Sequence, residues 1–278
     1  MKNFISGITI ATITLTTSLT HAAEVIFGVD PVILDLACIP GSTITESISV
    51  ENKGSDTANF SIDPIGFLNS EVAGTGVLLE KPTASLPPDN LARNITVQPR
   101  VIEVPANSTK KTSFTLSVPN TLRGSQYVGL TVAMAGKPGG NLDRSGEYQQ
   151  IVGTVITAGL NVTIKCHIQG TLQYSYEVKN LELKQKANNQ PMKATMIVKN
   201  TGNAEMVFGP ALILTNESKQ IVARLQALKN YHLIPGATET IEFKPSFKDI
   251  ANGTYGVIVS STQAHQNLAP YETRAVLK

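Results

Sequence analysis

The 278-residue chain has no tryptophan, 16% charged residues and a formal charge of +2. So small a net charge leaves no electrostatic footprint for nucleic acid, and no basic block marks an anionic membrane surface. The length allows one large or two medium domains, and the abundance of Thr, Val, Ile, Asn and Gly favours β-structure joined by turns.

The chain begins MKNFISGITIATITLTTSLTHAA: Lys2, a moderately apolar stretch over Phe4–Leu19, then small residues, the pattern of a secretory signal peptide. Thr20 and Ala22 suit the −3 and −1 positions of a cleavage site, so residues 1–22 are expected to be removed. No Cys follows the cut to carry a lipid, and no later apolar run is long enough to span a bilayer. The mature protein is therefore expected to be exported, with no transmembrane segment after cleavage. Cys38 and Cys166, the only cysteines, then enter a compartment where disulfides persist.

A first strand is expected within DPVILDLACIPG. ESISVENKGSDTANFSI follows, an alternating strand, an Asn52-x-Gly54 turn and a second strand. NSEVAGTGVLLEKPTASLPPDN (69–90), rich in Gly and Pro, reads as an inserted loop or an irregular hairpin. VPANSTKKTSFTLSVPNTLRGSQYVGLTVAM (104–134) holds a Pro-containing turn, an alternating strand and a final apolar strand opened by Gly and Tyr127. KPGG (137–140) reads as a hairpin turn, because no Lys-Ser/Thr follows to make it a phosphate loop. IVGTVITAGLNVTIKCHIQG (151–170) is apolar at every even position from Ile156 to Ile168, the pattern of a long strand.

The later chain repeats this order. ATMIVKNTGNAEMVFGP (194–210) matches the Asn-x-Gly unit with Asn200 and Gly202, and IPGATETIEFKPSFKDIANGTYGVIVSS (234–261) matches the Pro-turn unit with Tyr255. Asn and Gly are expected to supply positive φ at these turns. The first copy is about twenty residues longer between Asn and Tyr, and 69–90 accounts for the excess. Duplicated units of short alternating strands predict an all-β protein of two immunoglobulin-like β-sandwich domains in tandem: 23–168 with the insertion at 69–90, and 169–278. Tyr127 and Tyr255 fit either a tyrosine corner or an ordinary edge aromatic.

DPVILDLACIPGSTITESISVENKG (30–54), ITVQPRVIEVPANSTKKTSFTLSVP (95–119) and the long alternating strand resemble the first domain of PapD-like periplasmic pilus chaperones; VKNTGNAEMVFGPALIL and NYHLIPGATETIEF resemble their second. RGSQYVGL also resembles surface proteins with PapD-like domains that accompany WxL-type cell-wall proteins. The first resemblance implies a periplasmic chaperone that binds pilus or fimbrial subunits by lending them the last strand of its leading domain, with an outer-membrane usher as a possible further partner. It places the groove-filling side chains at Ile156, Ala158 and Leu160, and the lysine that holds the guest's terminal carboxylate at Lys165. Ala158 would contribute least, since a methyl covers little apolar area. The same resemblance sets the first strand beside the last and so implies a Cys38–Cys166 disulfide.

Two features depart from that pattern. The first strand has no Arg or Lys to assist Lys165; Leu36 stands in the matching place, beside Asp35. The face of the long strand opposite its apolar row offers mainly Val155, Thr157, Gly159 and Asn161. A core strand that merely closes its own sandwich therefore stands beside the lending strand as a reading of 151–170. An exported structural or adhesive surface protein, binding through 69–90, stands beside the chaperone. No catalytic motif, no cofactor and no metal-ligand spacing is found among His167, His232, His265 and the scattered carboxylates, so no enzyme activity is expected.

Overall fold

Period-two alternation decides which residues become strands, and the buried Asn52 and Asn200 each close one. The computed structural model describes residues 26–69, 78–82, 86, 90–134, 159–185, 191–246, 250–261 and 268–277. The expected signal peptide, the 137–140 turn, most of 69–90, and both Ile156 and Ala158 lie outside these residues.

Among the described residues, ten strands surround the first core: β1 (Phe27–Asp30), β2 (Ile33–Cys38), β3 (Thr43–Asn52), β4 (Ala58–Asn69), β5 (Leu78–Pro82), β6 (Ile95–Gln98), β7 (Val101–Val104), β8 (Ser108–Ser117), β9 (Ser125–Met134) and β10 (Gly159–Ile168). One sheet runs β1-β3-β8-β6; the other runs β2-β10-β9-β4-β5, with β7 also paired to β4. Inward residues of both sheets, among them Ile48, Phe60, Phe114, Leu130 and Ile164, form one buried cluster. Nine more strands follow: β11 (Tyr176–Lys184), β12 (Lys193–Asn200), β13 (Met206–Phe208), β14 (Ala211–Thr215), β15 (Ile221–Gln226), β16 (Tyr231–Leu233), β17 (Thr238–Glu242), β18 (Gly253–Ser260) and β19 (Tyr271–Leu277). A sheet ordered β15-β14-β18-β19-β11-β12-β17 and the pair β13-β16 enclose a second cluster that includes Met196, Phe208, Leu212 and Val259. The protein is all-β, two immunoglobulin-like sandwiches in tandem.

The internal repeat holds at the level of single atoms. Asn52 Nδ2 donates to the carbonyls of Asp56 (2.8 Å) and Val104 (3.0 Å), while its Oδ1 accepts the Gly54 N–H (3.0 Å). Asn200 Nδ2 donates to Ala204 (2.9 Å) and Leu233 (2.9 Å), and its Oδ1 accepts the Gly202 N–H (2.9 Å). Both asparagines are buried, so each amide satisfies carbonyls that would otherwise lack water. This corrects the expectation of positive φ: the left-handed positions among the described residues are Asn107, Lys219, Gly41, Gly124, Gly170 and Gly236. The Asn-x-Gly turns work through the side chain instead.

The 69–90 segment includes a hairpin arm. β5 pairs antiparallel with the end of β4, from Ile65 opposite Pro82 to Asn69 opposite Leu78. Tyr255 has the tyrosine-corner bond, its hydroxyl donating to the Ala251 carbonyl at 2.6 Å, whereas Tyr127 does something else, described below.

β2 and β10 run parallel, from Ile33 opposite Thr163 to Cys38 opposite Ile168. That register brings Cys38 and Cys166 within a Cα–Cα distance of 5.6 Å, and they are joined as a buried disulfide. The loop it closes spans 128 residues, so the bond stabilises by about 4–5 kcal/mol on the chain-entropy account. Replacing both cysteines by Ala should lower the melting midpoint of the leading sandwich by on the order of 10 °C, followed by near-UV circular dichroism. An unchanged midpoint would contradict that account.

Candidate functional site

β10 has two regions. From Thr163 onward β2 lies on one side and β9 on the other, and Val162, Ile164, Cys166 and Ile168 are fully buried in the first core. Ahead of Thr163 the pairing with β9 continues, to Gly159 opposite Ala133. The chain that would flank β10 on its other side has turned at Pro31 into the opposite sheet, where β1 pairs with β3. Gly159 and Leu160 are exposed at this opening. Leu160 carries the core-facing row past the end of the core, where it is 40% exposed. Val32, whose carbonyl accepts the Thr163 N–H at 2.9 Å, and Ile33 are exposed beside it. Three large apolar side chains thus ring an interrupted strand edge.

The opposite face of β10 meets the second sandwich. Lys165 sits opposite Tyr127 in the β9 ladder, and both reach one carboxylate. Lys165 Nζ donates to Glu205 Oε1 at 2.7 Å and Tyr127 Oη to Glu205 Oε2 at 3.1 Å. His232 Nδ1 lies 3.4 Å from Oε1. Glu205 follows the Asn200 turn, and its side chain is only 7% exposed against 21% for Lys165. Burial pushes the Glu205 carboxyl up, but the hydrogen bond and charge of Lys165, joined by His232 and Tyr127, outweigh it and hold the group below the usual carboxylate range. Burial, then the Glu205 charge, push the Tyr127 hydroxyl far above its ordinary value, so it remains a donor at any physiological pH.

A second chain of bonds runs alongside. The Glu205 N–H donates to Ser125 Oγ (2.8 Å), Ser125 Oγ pairs with His167 Nδ1 (2.8 Å), and His167 Nε2 lies 3.1 Å from Asp35 Oδ1. A neutral imidazole with its proton on Nε2 satisfies every contact: Nε2–H donates to Asp35, and Nδ1 accepts the Ser125 O–H. Asp35, His167 and Ser125 share the residue types of a hydrolase triad. Ser125, however, is buried, and its oxygen already accepts a backbone N–H, so this relay joins the sandwiches and presents no nucleophile. Two main-chain N–H groups complete the joint: Ser125 N–H donates to Asn203 O (2.8 Å) and Gly124 N–H to the Thr171 side-chain Oγ1 (2.8 Å). Gly124 has φ of +71°, and a Cβ there would collide with Asn203 O. A cleft of about 350 Å3 at this joint is lined by residues that include Arg123, Gln126, Tyr127 and Asn203.

Of the sequence-predicted partner-binding residues, Leu160 lies at the open edge, Lys165 lies at the joint and is engaged by Glu205, and Ile156 and Ala158 lie outside the described residues. Sequence reasoning missed Glu205, Ser125 and Tyr127 as one unit. The signal available was a difference within the repeat: Glu205 occupies the place that Thr57 holds in the first copy. Among the described residues no group of three or more His, Cys, Asp or Glu could hold a metal ion, and no helix is long and apolar enough to cross a membrane.

Glu205 gives the joint a pH dependence of definite sign. Its pKa is depressed in the folded protein, so its stabilisation is present above the unfolded carboxylate pKa of about 4.3 and is lost as pH falls through the folded value. Glu205→Gln should cost about 1–3 kcal/mol at pH 7 by urea unfolding and reduce the loss of stability on acidification below about pH 4. An equal acid dependence in variant and wild type would contradict the assignment.

No family model matches the sequence, and no curated protein does. Solved structures do. A chain in a structure described as a chaperone–tip adhesin complex vital for activation of CFA/I fimbriae biogenesis is 14% identical, with a TM-score of 0.48, covering 90% of this chain and 98% of that one. The class 5 fimbriae chaperone CfaA is 13% identical, with a TM-score of 0.46 and coverages of 90% and 99%. A chain in the CsuC–CsuE chaperone–tip adhesion subunit complex of Acinetobacter baumannii is 11% identical, with a TM-score of 0.36 and coverages of 91% and 99%. These solved structures to which the chain is similar are of fimbrial chaperones or their complexes.

Proposed function

We propose that this protein is a periplasmic chaperone of pilus or fimbrial subunits, which lends the leading part of β10 to a guest whose own sheet lacks a strand. The single observation that carries the reading is the interrupted edge: β10 starts at Gly159, but its β2 neighbour starts opposite Thr163. A guest strand placed in line with β2 would take up the backbone bonds there, and Leu160, with Ile156 and Ala158 continuing the same row, would enter the guest's groove. Val32 and Ile33 would cover the seam. In this reading the chain divides into a leader 1–22, a lending domain 23–168 and a second domain 169–278. An outer-membrane usher would receive the loaded chaperone.

Lys165 fits its proposed role only by exchange. The guest's terminal carboxylate would displace Glu205 from Lys165 and inherit the Tyr127 hydroxyl as a second donor, in place of the cation that the first strand lacks. Exchange of one carboxylate for another would keep the partly buried Lys165 ammonium paired.

Two variants separate edge from anchor. Leu160→Asp should abolish co-purification with a co-expressed subunit while leaving the melting midpoint within about 1 °C, because the side chain lies beyond the core. Lys165→Ala should also lose capture, whereas Glu205→Gln, which removes the competing carboxylate, should strengthen it. Normal capture by Leu160→Asp would overturn the lending role. Normal capture by Lys165→Ala would overturn the anchor alone.

A further inference from the structure

β2 is the outermost strand of its sheet, and among the described residues β10 is its sole strand partner. In the parallel ladder, Thr163 N–H donates to Val32 O and Gln169 N–H to Cys38 O, so the even residues of β2 face β10. The odd residues therefore turn their N–H and C=O groups outward, to the free edge. No proline interrupts Val32–Ile39, and the stretch has one charge, Asp35. Ile33 and Ile39 are 60% and 62% exposed near its two ends. Ile33 shares the outer face of the sheet with Asp35 and Ala37, and Ile39 follows directly on the last strand residue, Cys38. An apolar, lightly charged edge of this kind is a template for another strand.

We propose that the free edge of β2 pairs antiparallel with β2 of a second copy of this chain, joining two sheets across a two-fold axis. Symmetry makes this specific. An axis perpendicular to the sheet pairs only residues of like parity, so it passes either through Leu36 or through a neighbour such as Asp35. With Asp35 on the axis, two carboxylates would face each other across the seam, which is destabilising. With Leu36 on the axis, Asp35 lies opposite Ala37 of the second copy, and Ile33 lies opposite Ile39 at both ends. That register covers the exposed isoleucines and separates the aspartates, each of which is already bonded to its own His167 at 3.1 Å. Asp35 and Ala37 exchange both backbone bonds. The end pairs contribute Ile39 N–H to Ile33 O, because Ile39 O is already taken by the Ser42 N–H (3.1 Å) and hydroxyl (2.7 Å). A seam of about seven edge residues per copy falls below the roughly 1,200 Å2 of a standard interface, so the dimer is weak and concentration-dependent.

The inference uses the far edge of β2 and neither Leu160 nor Lys165; Ile33 alone is shared with the proposed guest seam, and Ala37→Pro, away from that seam, separates the two readings. Sedimentation velocity on the mature protein, from low to high micromolar, should show a monomer–dimer equilibrium. Ile33→Lys and Ala37→Pro, one adding charge and the other removing an edge N–H, should each shift it at least tenfold toward monomer. Ile221→Lys, at an exposed position on β15 in the second sandwich, should leave it unchanged. Wild-type protein that stays monomeric throughout would overturn the proposal, as would dimers that persist in both β2 variants.

Discussion

The architecture of the leading sandwich depends on one division of labour in its first strand. Residues 27–38 serve two sheets: β1 closes one against β3, and β2 closes the other against β10. Pro31 stands at the crossing, where its missing N–H costs no ladder bond. A strand that served one sheet throughout would have lain along all of β10. Because it crosses over, the β2 ladder along β10 reaches only to Thr163, where the apolar row emerges from the core. The opening is a consequence of topology, and Leu160, Val32 and Ile33 are exposed because of it.

The disulfide and the polar joint act on the part of β10 that remains enclosed. Cys166 ties the strand to β2 inside the core, while Lys165 and His167, on the opposite face, tie it to the second sandwich through Glu205 and Ser125. The trailing half of β10 is thus held on both faces and both edges. In the proposed lending role, a rigid trailing half would fix the direction in which the lent part is presented. The same rigidity has a cost for any anchoring role of Lys165, whose ammonium already has a buried partner.

Much of the fold was legible because it rests on local pattern. The even-residue row over 160–168 and the duplicated Asn-x-Gly and Pro-turn units follow from side-chain alternation and small motifs, whereas the Cys38–Cys166 pairing came from the resemblance to PapD-like chaperones. The role of Asn52 and Asn200 was not legible, because their amides bond carbonyls some thirty to fifty residues away, such as Leu233 and Val104. The joint escaped for the same reason. Glu205, Tyr127, Lys165 and Ser125 come from three separate stretches of chain, and no periodicity in any one of them signals the others. Lys165 was singled out by the resemblance to PapD-like chaperones, but a sequence does not say which carboxylate will be folded against it.

Amide hydrogen exchange along β10 tests the central claim most directly. The odd residues of β10 point their N–H groups toward the β2 side, as the Thr163 N–H to Val32 bond shows. In the free protein the amides of Thr163, Lys165 and His167 should exchange slowly and that of Gly159 quickly; a peptide carrying a guest's groove-edge strand should protect Gly159 by at least tenfold. A Gly159 amide as slow as Thr163 without any guest, or one that stays fast with a guest bound, would contradict the account.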